Sequence, residues 1–113
     1  MINHGYVIAS VGVRGSGASF GRNEGLFSPA ETRDAFEITQ WLASQPWCDG
    51  NVGMIGISWG GFNGLQVAAR EPEALKAVIA LAFTDDRYTD DIHYKGGCLL
   101  YICLLYTSDA ADE

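Results

Sequence analysis

The stretch "NVGMIGISWGGFNGLQVAAR" (51–70) constrains this chain more than any other. Residues 52–57 are a short apolar run that reads as a strand buried on both faces. Residues 59–70 read as a helix that Pro72 ends. Between them Gly56-Ile57-Ser58-Trp59-Gly60 spells G-x-S-x-G. A serine on a sharp strand-to-helix turn is held in a strained conformation that points its hydroxyl out of the sheet. The helix N-terminus and the backbone N–H of Trp59 would then face a developing oxyanion. Gly56 and Gly60 remove Cβ atoms that would collide in such a turn, and Gly61 lets the helix lie close to a strand. Early glycines otherwise cost helix propensity, so they need a reason of this kind. The competing reading is a plain strand–helix turn that happens to contain serine. The apolar run before Ser58 and the helical stretch after it favour the nucleophile turn.

The flanking sequence extends the pattern. "GYVIASVGV" (5–13) reads as another buried strand, followed by the glycine-rich loop "RGSGASFGRNEG". In "SPAETRDAFEITQWLASQ" Ser28 suits the N-cap, Pro29 the first helical position and Glu31 a capping box. Ile38, Trp41 and Leu42 fall at helical spacing and are expected to face the sheet. "PWCDGN" is a turn, and "LKAVIALAF" (75–83) a third apolar run of strand length. The expected fold class is therefore α/β, with order β-α-β-α-β and a parallel sheet.

Composition narrows the functions available. Net charge is −7, and only 7 of 113 residues are Lys or Arg, which argues against binding a nucleic-acid backbone. Cys48, Cys98 and Cys103 form neither a disulfide framework nor a metal knuckle. No metal and no cofactor are expected. No signal peptide or membrane-length apolar run is visible, so the expected location is cytoplasmic and no membrane partner is expected. The loop after residue 13 hints at dinucleotide binding, but its glycines are not spaced G-x-G-x-x-G and the helix starts too late.

Four blocks together carry a family resemblance: "GYVIASVGVRGSGASFG", "WLASQPWCDGNVGMIGISWGG", "LKAVIA" and "TDDRYTDDIHYKGG". They resemble successive blocks of the CocE/NonD hydrolases, α/β-hydrolases that include cocaine esterase, X-Pro dipeptidyl-peptidases and α-amino-acid ester hydrolases. The resemblance spans about residues 5–100. It implies an α/β-hydrolase fold carrying the nucleophile elbow, with Ser58 as the acyl-forming nucleophile and the Trp59 N–H as one oxyanion donor. It implies a small-molecule ester or peptide substrate. Gly12 stands where the family often has Asp, and Trp59 where it often has Tyr; the second change keeps an aromatic side chain and the backbone donor.

By the same resemblance the catalytic histidine and acid lie downstream of a helical cap, and a tyrosine hydroxyl upstream of residue 5 is the second oxyanion donor. The expected organisation is a partial hydrolase core over 1–83, the start of the cap over 84–102, and a non-native tail over 103–113. That tail, "CLLYTSDAADE", fits no element pattern and resembles translated read-through of a transposase-type sequencing-library adapter. Met1 reads equally as an internal methionine. Within the chain, Asp86 or Asp90 with His93 would satisfy the order Ser, Asp, His, but their close spacing favours a polar entry to the cap over a local acid–histidine pair or a metal site. His4 is read as solvated or as part of a truncated loop. Arg14 is read as part of a buried ion pair or a loop hydrogen-bond network rather than a substrate ligand. The rival to a hydrolase is a non-catalytic binding module of the same fold.

Overall fold

The computed structural model describes residues 1–89 and 94–99. The chain divides into two compact units, Met1–Leu81 and a second beginning at Ala82.

In the first unit, helix α1 spans Pro29–Ala43. Its start follows from local chemistry. Ser28 is extended (φ −68°, ψ 153°), its Oγ accepts the Glu31 N–H at 3.2 Å, and Pro29 occupies a position that needs no N–H donor. At the other end Ser44 returns its N–H to the Gln40 carbonyl at 3.2 Å and its hydroxyl to that of Trp41 at 2.7 Å. The buried stripe of α1 runs through Thr32 and Thr39. Both hydroxyls are satisfied: Thr39 donates to the Ala35 carbonyl at 2.8 Å and Thr32 to Gln66 Oε1 at 3.0 Å. Trp41, expected against the sheet, is instead 59% exposed. It stands two residues on from Thr39, about 200° around the helix axis, and α1 packs more against the second helix than against the strands.

Strands β1 (Val52–Ile57) and β2 (Leu75–Leu81) pair in parallel, and helix α2 (Trp59–Ala68) connects them. The register sets Ile55 beside Ile79 and Ile57 beside Leu81, with a bulge at Val52/Gly53. Val67 of α2 is fully buried. Burial alternates along β1, with Val52, Met54 and Gly56 half-buried and Ile55 and Ile57 exposed. On β2 Val78 and Ala80 are half-buried while Ile79 and Leu81 are exposed. Those four exposed residues, 47–64% accessible, make one continuous apolar stripe.

The expected strand over 5–13 does not form, so the observed order in this unit is α-β-α-β after a short 3₁₀ turn at Ile2–His4. The sheet here has two strands, β1 and β2. Val7, Ile8 and Val11 remain 53–63% exposed. An apolar run specifies a strand that can be buried, but a ladder also needs a neighbouring edge, and neither edge of the β1–β2 pair receives this segment.

Arg14 ties the loop that follows to α1. Its Nε donates to Asp34 Oδ2 at 2.7 Å and a second guanidinium nitrogen pairs with Oδ1. The pair is not buried: the Arg14 side chain is 43% exposed. The hydrogen bond from Arg14 holds the Asp34 carboxyl below the usual carboxylate range, and the same bond raises Arg14.

In the second unit, β3 (Tyr94–Lys95) and β4 (Cys98–Leu99) form a short antiparallel hairpin over Gly96-Gly97. The described part of 84–102, expected to begin a helical insertion, consists of turns and this hairpin. Cys103 and the whole 103–113 tail lie outside the described residues.

Two outcomes follow from this packing. The Ile55/Ile57/Ile79/Leu81 stripe makes the isolated chain bind the dye ANS and self-associate with rising concentration, and Ile55→Thr with Ile79→Thr reduces both; sedimentation showing a monomer that binds no dye would contradict this. The depressed Asp34 stabilises the fold fully above the ordinary aspartate value of about 3.9, and that contribution is lost as pH falls through its lower native value. Asp34→Asn therefore flattens melting temperature against pH on the acid side; an unchanged acid limb would contradict the assignment.

Candidate active site

Ser58 sits at the junction between the end of β1 and the start of α2. Its backbone has φ 55° and ψ −115°, a conformation that residues other than glycine rarely adopt. Two hydrogen bonds hold it there. The Ser58 N–H donates to the carbonyl of Leu81 at the end of β2 at 2.9 Å, and the Ser58 carbonyl accepts the Phe62 N–H at 3.0 Å. The second is the first bond of α2. The N–H groups of Trp59, Gly60 and Gly61 thus belong to the opening turn, where no preceding helical carbonyl can satisfy them. The Ser58 side chain is exposed, and its Oγ has no hydrogen-bond partner among the described residues.

The glycines divide the steric requirement unevenly. A Cβ on Gly56 would overlap the backbone of Gly60, reaching its Cα at 2.7 Å. A Cβ on Gly61 would come within 2.9 Å of the Leu81 carbonyl oxygen. Gly60 differs from the expectation: a Cβ there meets open space, and what crowds Gly56 is the Gly60 backbone, which any residue would supply.

Glu31 was legible in the sequence only as a capping residue. Its N–H does cap to Ser28, but its carboxylate does not close the box on the Ser28 N–H. Instead Oε2 accepts the Phe27 N–H at 2.9 Å. Oε1 accepts the Trp59 indole N–H at 2.6 Å and also the side-chain amide of Asn63. Phe27 lies in the left-handed region at φ 59° and packs edge-on against Trp59 and Phe62, with ring centroids 6.3 and 5.3 Å away. A local sequence pattern shows which group can cap a helix, but not that a second helix will offer that group better donors.

The other sequence candidates lie elsewhere. Asp86 accepts the N–H groups of Tyr88 and Thr89 at 3.0 and 3.3 Å and the Thr89 hydroxyl at 2.6 Å. Those bonds, the Thr89 hydroxyl foremost, lower its carboxyl below the usual range. Asp86 is thus committed to a local turn, while Asp90 and His93 lie outside the described residues. His4 ends the 3₁₀ turn and is exposed. Among the described residues no three His, Cys, Asp or Glu side chains gather as metal ligands, and no helix is long and apolar enough to cross a membrane.

The parallel strand–helix–strand unit is a small α/β fold, consistent with a fragment of a hydrolase fold. The comparison with protein families makes the assignment specific. The X-Pro dipeptidyl-peptidase (S15 family) profile matches residues 1–112, and the chain belongs to that family. It is 39% identical over 93 residues, 82% of its length, to a protein named putative serine esterase from Mycobacterium bovis, and equally to one from Mycobacterium tuberculosis. It is 35% identical over 106 residues, 92% of its length, to the cocaine esterase of a Rhodococcus species. The chain spans 15% of the two mycobacterial proteins and 18% of the Rhodococcus one. No solved structure matches it significantly.

The strain at Ser58 gives a direct test. Ser58→Gly relieves the backbone and raises stability by roughly 1 kcal/mol, the low end of the cost of such a conformation. Gly56→Ala lowers it by about 1–3 kcal/mol, as overpacking does. Chemical denaturation measures both; a destabilised Ser58→Gly or a neutral Gly56→Ala would show that the turn is not built this way.

Proposed function

We propose that the protein carrying this segment is a serine hydrolase that cleaves an ester or amide through an acyl-enzyme, of the acyl-esterase or X-Pro dipeptidyl-peptidase type. Ser58 Oγ attacks the substrate carbonyl, and the bond to the leaving alcohol or amine breaks as the tetrahedral intermediate collapses. The Trp59 N–H, at the positive end of α2, stabilises the oxyanion. A histidine takes the serine proton and hands it to the leaving group, and an acid orients that histidine. In this reading both are supplied by parts of the protein beyond the segment described here, as is a second oxyanion donor. The 113-residue chain by itself is then a poor catalyst.

The single observation that carries the reading is the backbone of Ser58. A strained serine exposed at a strand–helix junction is unfavourable for folding and useful for presenting a nucleophile. Family membership and the names of the esterase relatives support it independently. No cofactor enters the scheme.

The test uses the full-length protein. A fluorophosphonate probe should label Ser58, located by peptide mass spectrometry. Ser58→Ala should abolish labelling and lower kcat by up to about 10⁶-fold, the scale of nucleophile loss in a serine protease. Absence of both labelling and turnover in a folded protein would favour a non-catalytic module, and turnover that survives Ser58→Ala would show that Ser58 is not the nucleophile.

A further inference from the structure

We propose that Glu31 is a positioning residue for the oxyanion donor at Trp59. The inference rests on the reading of Ser58 and Trp59 given above and adds a residue to it. A carboxylate that only capped α1 would bond within α1. Glu31 instead reaches across to the first turn of α2, where Trp59 and Asn63, four residues apart on one helical face, both donate to Oε1. The indole N–H is the sole polar group of the Trp59 side chain, and the same residue bears the backbone N–H assigned to the oxyanion. Fixing the ring from one side, with Phe27 packed edge-on against it, fixes the orientation of that peptide. Donors that are already oriented need no reorganisation as charge develops, and this is how such a group lowers a barrier.

The division of labour within the carboxylate makes the role separable from charge and from folding. Both α2 donors share Oε1, while Oε2 serves Phe27. A glutamine at 31 keeps an acceptor for Trp59 and Asn63 and loses only the Phe27 bond. A negative charge this close to an oxyanion would not itself help it, so Glu31→Gln should preserve turnover although the charge is gone. Glu31→Ala removes the acceptor altogether. Trp59→Phe removes the indole N–H, retains an aromatic ring and leaves the backbone donor in place.

The experiment measures steady-state hydrolysis of a p-nitrophenyl ester by the full-length protein, with melting temperatures alongside. Expected are a kcat lowered about 10- to 100-fold in Glu31→Ala, the scale of a small misplacement, with KM within about threefold. Glu31→Gln should stay within about threefold of the parent. Trp59→Phe should match Glu31→Ala, and the double variant should be no worse than either single one. If Glu31→Ala does not fold, the comparison of Trp59→Phe with Glu31→Gln carries the test. A folded Glu31→Ala or Trp59→Phe with parental kcat, or a Glu31→Gln as impaired as Glu31→Ala, would overturn the proposal while leaving Ser58 as nucleophile. Turnover that survives Ser58→Ala would instead overturn the reading of the site itself.

Discussion

The close approach of α2 to the ends of both strands governs everything around Ser58. Gly61 sits against the Leu81 carbonyl, and Gly64 faces Val78, where an added Cβ would come within 2.9 Å of Cγ1. At that separation the chain has no room to leave β1 gradually. It turns at one residue, Ser58, whose N–H is anchored on β2. The positive φ at Ser58 is thus a consequence of helix–sheet packing. The buried part of α2, Gly61, Gly64 and Val67, joins two residues without side chains to one that fills the space. The low helix propensity of those glycines is offset by the contact they allow.

A second layer of constraint comes from α1. It packs on α2 from its first turn, where Thr32 donates to Gln66 near the C-terminal end of α2 and Glu31 accepts from Trp59 at the N-terminal end. The loop before it is tied back by Arg14 and Asp34. These polar links all come from positions whose sequence pattern speaks of local structure: a capping box, a helix-interior threonine, a loop arginine. Their long-range partners emerge only when two helices meet.

This explains which parts of the fold were legible beforehand. Ser28, Pro29 and Glu31 set the start of α1 through bonds made within four residues, and the sequence carries that information whole. The run 52–57 and the helix after it also follow from local pattern as a strand and a helix joined at a glycine turn, but the expected burial of that strand on both faces is not met: Ile55 and Ile57 are exposed, because nothing in the described residues packs on that face. The run 5–13 has an equally strong pattern yet forms no ladder, because strand pairing requires an edge from another part of the chain. Trp41 was misplaced for a related reason: helical periodicity defines a stripe, and the packing partner decides which stripe is buried. At the site, Ser58 lies between strand and helix; of the glycines given a steric reason, an added Cβ would collide at Gly56 and Gly61 and would meet open space at Gly60; and Glu31 could not be assigned beyond its cap.

The proposed function requires the strained serine at the β1–α2 junction to become covalently acylated during turnover. The most direct measurement is acid-quenched mass spectrometry of the full-length protein reacting with excess p-nitrophenyl acetate. Expected is a transient increment of about 42 Da, an acetyl group replacing a hydroxyl hydrogen, confined to the peptide containing Ser58 and appearing with a burst of p-nitrophenolate. Rapid turnover with no adduct, or an adduct on any other residue, would contradict it.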